Sequence, residues 1–167
     1  RTQISNTTQY PYCCFGRLTV SFGGKVYAGS GVAVGPRHVL TAAHCVMKEG
    51  QWPEGIMYHS GLDGDVAPFG ETRVLRVYLT KEYFDRQDCD YDFALLVLDK
   101  PIGKSTGYLG CFFANDRALF KEHIAITGYP ADKGWKKMWS MAHKVKNISV
   151  ERIFYDIDTY SGQSGSP

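Results

Sequence analysis

Along the first hundred residues, runs rich in β-branched and aromatic side chains recur every few positions, each cut off by a cluster of Gly, Pro or Asp, and this rhythm restricts the fold most. The runs are Arg17–Phe22, Val26–Val34, His38–Ala42, Ile56–Ser60, Thr72–Leu79 and Phe93–Leu98. Short strands at such spacing predict an all-β barrel or sandwich. Gly23-Gly24, Gly35-Pro36 and Asp63-Gly64 supply the positive or fixed φ that tight turns between strands require. Lys100-Pro101-Ile102-Gly103-Lys104-Ser105 reads as a linker, after which strands resume at Leu109–Phe113, at His123–Gly128 and again between Met138 and Asp158. One barrel before the linker and part of a second after it is the expected organisation.

Composition removes several classes of function. Apolar residues make up 44% and charged residues 22%, which excludes a disordered, collagen-like or coiled-coil chain. The net charge of +2 is spread without a basic block, so neither nucleic acid nor an anionic membrane is an expected partner. No stretch approaches the roughly 18 apolar residues of a membrane helix, and Arg1 opens a polar segment rather than a signal peptide, as in a mature, processed form. Five cysteines, Cys13, Cys14, Cys45, Cys89 and Cys111, fit an oxidising, secreted setting, and the odd count leaves at least one thiol outside any intrachain pairing.

Three short segments carry chemistry. In Thr41-Ala42-Ala43-His44-Cys45 an imidazole follows a strand and precedes a short helical-looking turn, so a rigid element holds it. Asp92 opens Asp-Phe-Ala-Leu-Leu-Val-Leu, where an acid at the mouth of a buried strand can be desolvated and still satisfied by an imidazole N–H. Gly162-Gln163-Ser164-Gly165-Ser166-Pro167 surrounds one serine with small residues, as needed where backbone N–H groups approach a substrate oxygen. Each has an ordinary structural reading by itself: a core histidine, a strand-terminating turn, a Gly/Ser loop. The order His, Asp, Ser on a β-rich chain is informative, because α/β-hydrolases run Ser, acid, His around Gly-x-Ser-x-Gly, and here residue 166 is Ser. His38, His59, His123 and His143 lack any ligand-spacing motif, so no metal and no cofactor is expected.

These three segments resemble the histidine, aspartate and serine motifs of chymotrypsin-like serine proteases. Gly128-Tyr129-Pro130-Ala131-Asp132-Lys133, Met138-Trp139, the ending Gly-x-Ser-Gly-Ser-Pro and Tyr10-Pro11-Tyr12 are similar to the bacterial-type glutamyl endopeptidase branch. The resemblance implies two antiparallel six-stranded Greek-key barrels, trypsin-like, the second incomplete in this chain: residues 1–104 form the N-terminal barrel with His44 and Asp92, and residues 105–167 the partial C-terminal barrel with Ser164. It also implies a secreted, monomeric serine endopeptidase acting on polypeptides through an acyl-enzyme. His44, Asp92 and Ser164 are then the catalytic triad, the N–H groups of Gly162 and Ser164 the oxyanion hole, and Thr159 a wall of the substrate pocket, with cleavage after Glu preferred. Asp90 lies two residues before Asp92, but only Asp92 directly precedes the Phe-Ala-Leu run of the motif.

Two departures from the broader family qualify this. The residue before the nucleophile, an aspartate that receives a freed N-terminal amine in the digestive enzymes, is Gln163, so that activation pair is not expected. The familiar partner of Cys45 would fall near Gly29; Cys45 then pairs elsewhere or stays reduced, with Cys13 or Cys14 as one candidate and Cys89 with Cys111 as a second bridge. The alternatives to an active protease are a binding homologue that keeps the fold, and an inactive fragment of the protease.

Overall fold

The structure, a computed structural model, describes residues 1–111, 119–120, 122–150 and 152–167. Six strands close into an antiparallel barrel: β2 (Phe15–Phe22), β3 (Lys25–Ala33), β4 (His38–Thr41), β5 (Gly55–Ser60), β6 (Thr72–Leu79) and β7 (Ala94–Leu98). The order around it is β2-β3-β4-β7-β6-β5, closed by the β2–β5 pairing. Alternation sends one face of each strand inward. Leu18 and Val20 of β2, Ile56 and Tyr58 of β5, and Ala94, Leu96 and Leu98 of β7 pack with Val39 into one buried cluster. Each fully buried aliphatic side chain there contributes about 1.5–3 kcal/mol relative to exposure. Tyr58 is completely buried, and its hydroxyl is satisfied by donating to Cys14 O at 2.8 Å.

The partial second sheet is organised around β9 (Trp139–Ile148), which pairs antiparallel with β8 (His123–Gly128) and β10 (Ile153–Tyr155). A two-residue strand, β1 (Thr2–Gln3), joins it, with Thr2 opposite Ser140 and Gln3 opposite Trp139. The first residues of the chain therefore belong to the sheet built from its last third, which the hydrophobic pattern of so short and polar a strand did not disclose. Arg1 reinforces the attachment. Its guanidinium takes Asp132 in a bidentate pair at 2.7 and 2.9 Å and reaches Asp158 at 2.9 Å, with only 11% of the side chain exposed. Between barrel and sheet, Val32, Ala33, Leu62, Tyr129 and Met138 form a second buried cluster, in which the Tyr129 hydroxyl donates to Leu62 O at 3.0 Å.

The fold is all-β, as expected, a closed six-stranded antiparallel barrel with part of a second sheet. Two details differ from the sequence-based expectation. The Lys100–Ser105 segment is folded rather than a free linker: Ile102 is buried, Gly103 N donates to Pro36 O at 3.0 Å, and a short helix, α2, runs over Gly103–Thr106. A second helix, α1 (Lys81–Arg86), interrupts the strands, capped by Thr80, whose Oγ1 accepts Tyr83 N at 3.2 Å, and closed by Gln87 in the left-handed conformation. Of the expected strand Leu109–Phe113, residues 109–111 are not in a strand and the remainder lies outside the described residues.

Candidate active site

The register of the barrel brings His44 and Asp92 together. Thr41, the last residue of β4, lies opposite Ala94, the first of β7, so the chain leaving β4 and the chain entering β7 emerge at the same end. Ala43–Cys45 form a 3-10 turn anchored by the fully buried Ala43 and Val46, and this turn presents the imidazole to the surface. His44 Nδ1 meets Asp92 Oδ2 at 2.6 Å, and His44 N donates to Asp92 Oδ1 at 2.8 Å. The carboxylate thus fixes both the ring and the backbone that carries it. Asp90 is committed elsewhere, in an ion pair with Arg152.

The pair polarises itself. The Asp92 hydrogen bond, helped by Cys45, holds the His44 imidazole well above the ordinary histidine range against the opposing effect of burial. Burial pushes Asp92 upward, but its hydrogen bonds from His44 and the backbone of Ala43 outweigh this and keep it below the ordinary aspartate value. An imidazolium beside this carboxylate is therefore a stabilised species.

Ser164 is delivered by a loop tied to the barrel. Ser30 N, on β3, donates to Ser164 O at 2.8 Å, and Thr41 Oγ1 donates to Ser30 O at 2.7 Å. Glycines at positions 162 and 165 are obligatory here. Gly162 has φ +90° and Gly165 φ +79°, and a Cβ on Gly165 would stand 2.1 Å from Thr41 Oγ1. The carbonyls of residues 160–164 all accept hydrogen bonds, whereas the N–H groups of Gly162 and Ser164 donate none among the described residues. His44 and Ser164 line one open pocket of about 380 Å³, with Gly162, Ser161, Cys45 and Tyr83 in its walls. No hydrogen bond joins Ser164 Oγ to His44 among the described residues, a looseness common in sites without bound substrate.

On the other side of Ser164 a pocket of about 400 Å³ is lined by Thr159, Tyr155, Gln163 and Ser166. Gln163 is buried, its Oε1 accepting Tyr160 N at 3.0 Å, while its Nε2 has no partner. Thr159, singled out from the sequence, thus lies beside the serine, and Gln163 joins it as a second polar lining group. The Arg1 guanidinium binds Asp132 and Asp158, and the Arg1 amine lies 3.8 Å from Met141 Sδ. The five cysteines are all free thiols, which corrects both suggested bridges. Cys13 and Cys14 turn their thiols to Thr106 O, at 3.0 and 3.6 Å, in the cluster between barrel and sheet, whereas Cys45 packs against the barrel core with its thiol on Ser164 O at 3.4 Å. The place of a partner is nevertheless visible: a Cβ on Gly29 would lie 3.0 Å from Cys45 Sγ.

A family model described as the trypsin-like peptidase domain matches residues 29–167, from the strand that carries Ser30 to the serine loop. The chain belongs to that family. Among relatives of this trypsin-like peptidase domain, a Bacillus licheniformis glutamyl endopeptidase is 30% identical over the whole of this chain and 52% of its own length. A Bacillus subtilis protein named extracellular metalloprotease is 31% identical over the whole of this chain and 54% of its own length. The chain thus spans about half the length of these curated relatives. A solved Glu endopeptidase in complex with MPD superposes with a TM-score of 0.88 at 29% identity, covering 99% of this chain and 77% of that one. These likenesses run along the whole of this chain and include glutamyl endopeptidases.

Proposed function

We propose that this chain is the catalytic part of an extracellular serine endopeptidase in which His44, Asp92 and Ser164 act as a triad. The observation that carries the reading is the double hydrogen bond from His44 to Asp92 at the edge of a pocket that Ser164 shares. Ser164 Oγ attacks the peptide carbonyl carbon and its proton passes to His44 Nε2. Asp92, bonded to Nδ1, fixes the tautomer and stabilises the imidazolium. The oxyanion formed receives the free N–H groups of Gly162 and Ser164. His44 returns its proton to the departing amine, and water, deprotonated by His44, cleaves the acyl-enzyme in the reverse sense. The unit of residues 1–104 supplies base and acid, that of 105–167 the nucleophile, and the protein works as a monomer on polypeptides, with neither nucleic acid nor membrane as partner.

Cleavage after Glu is the proposed preference. It is supported by the names of the relatives and by Thr159 in the pocket beside Ser164, whose hydroxyl is able to donate to a carboxylate. The metal in the name of the Bacillus subtilis relative finds no counterpart here: among the described residues no three His, Cys, Asp or Glu side chains are grouped to hold an ion. Labelling with a serine-reactive peptidyl phosphonate, with intact mass and Ser164→Ala as control, tests the triad. Adduct at Ser164 is expected; a folded protein that never labels makes the chain a binding homologue or an inactive fragment. A peptide panel varied only at the residue donating the cleaved carbonyl tests the preference, which fails if Glu and Asp are not favoured.

A further inference from the structure

We propose that Ser30, on the barrel strand β3 and outside the triad, is the positioning residue that sets the oxyanion hole. This rests on the reading of Gly162 and Ser164 as the oxyanion donors. Ser30 is 1% exposed, and every polar atom it has is engaged at the junction of barrel, second sheet and serine loop. Its N–H donates to Ser164 O at 2.8 Å and its carbonyl accepts Thr41 Oγ1 at 2.7 Å. Its hydroxyl donates to Gly162 O at 2.8 Å and accepts Tyr129 N at 2.9 Å.

The geometry of planar trans peptides explains why these contacts matter. The C=O and N–H of one peptide point in opposite directions, so anchoring a carbonyl aims the N–H behind it. Ala131 N on Ser161 O, at 2.6 Å, aims the Gly162 N–H, and Ser166 N on Gln163 O, at 2.8 Å, aims the Ser164 N–H. Between these two donors lies the peptide joining Gly162 to Gln163. Gly162, at φ +90° and without a side chain, offers little steric resistance to rotation of that peptide. The Ser30 hydroxyl holds its carbonyl end, and Tyr160 O its N–H end at 3.0 Å. Loss of the hydroxyl frees the carbonyl end and leaves Tyr129 N–H unpaired as well. Rotation of the central peptide then swings both donors away from the position an oxyanion occupies. The site is built for a small hydroxyl residue: a Cβ on Gly128 would stand 2.6 Å from Ser30 Oγ, and Gly29 and Gly31 flank it.

Ser30→Ala in the full chain is the test, read with a peptidyl boronate, which forms a tetrahedral adduct, and with a non-covalent product peptide. We expect kcat to fall about 10–100-fold and boronate affinity to weaken in step, with KM and product affinity within about threefold, because only the transition state uses the hole. Ser30→Cys, which retains a weak donor, is expected to recover part of the loss, and carries the same test if the alanine variant does not fold. Equal loss of product binding and boronate binding, or boronate affinity unchanged in either folded variant, overturns the role of Ser30. If the wild-type protein forms no adduct at Ser164, the triad reading falls, and the Ser30 role with it; adduct formation with an indifferent Ser30 removes the latter alone.

Discussion

His44 grips Asp92 twice, through Nδ1 at 2.6 Å and through its own backbone N–H at 2.8 Å, so the carboxylate positions the ring and the turn beneath it together. Asp92→Asn preserves the shape and replaces one acceptor oxygen by a donor, which turns the imidazole toward the wrong tautomer. A fall in kcat of about 10⁴-fold with a small change in KM is expected from steady-state kinetics on a chromogenic peptide. A loss below about tenfold would remove Asp92 from the triad.

In the proposed triad His44 must be neutral to accept the Ser164 proton, yet Asp92 favours its protonated form. The acid limb of kcat/KM is therefore expected above the ordinary histidine value of about 6.5, with activity rising as pH increases through it. A limb at or below that value in the wild-type protein contradicts the ion pair as the resting state.

The same pair makes stability depend on pH with a defined sign. The raised His44 value gives a contribution that is complete below the unfolded value of about 6.5 and is lost as pH rises through the folded one. The depressed Asp92 value gives a contribution present above about 3.9 and lost as pH falls through its folded value. Both groups are partly exposed, so the pair contributes at most about 1 kcal/mol, between about pH 4 and 6.5. Urea unfolding of the wild type and Asp92→Asn at pH 5.5, 7 and 9 should show the difference shrinking toward alkaline pH.

The thiol of Cys45 faces a vacant counterpart. A Cβ on Gly29 would lie 3.5 Å from Cys45 Cβ and 3.0 Å from its Sγ, the separations of a relaxed disulfide. Gly29→Cys is expected to form that bridge under air oxidation, lowering the mass by about 2 Da and adding about 3 kcal/mol of stability. Persistence of six titratable thiols in the folded, oxidised variant would refute the placement.

Gly165 sits at φ +79° with no room for a methyl group between Thr41 Oγ1 and Ser30 O. Gly165→Ala therefore displaces the serine loop, and strain plus overpacking cost at least about 2 kcal/mol. Loss of phosphonate labelling with retention of the far-UV spectrum of the barrel is the expected result; undiminished labelling would mean that the loop is free to shift.

The barrel was legible in the sequence because its strands alternate cleanly: Leu18 and Val20, or Leu96 and Leu98, repeat with the period of a half-buried strand. The segments carrying His44, Asp92 and Ser164 stood out in the sequence because their neighbours are constrained too, by β4, β7 and the two loop glycines, and the structure brings His44 onto Asp92 beside a pocket that Ser164 shares. Helix α1 carried a readable signal, Thr80 followed by Glu82 in the first turn, which strand-rich surroundings obscured. Ser30 and β1 gave none. A serine between glycines has no distinctive pattern, and its importance arises only from long-range contacts to Gly162, Ser164 and Tyr129. The cysteine pairings failed because spacing along the chain says nothing about which thiols face one another, and Cys13, Cys14 and Cys45 belong to different packing clusters.

The seating of Thr2 and Gln3 against β9 sets an order of events during synthesis. Their partners, Ser140 and Trp139, leave the ribosome only after every strand of the barrel has been made. Closing that loop is entropically costly until β8 and β9 have formed a template, so β1, made before every strand of the barrel, docks after them. The barrel can mature before β1 is seated, and the arrival of Arg1 between Asp132 and Asp158 then registers that the later sheet has assembled.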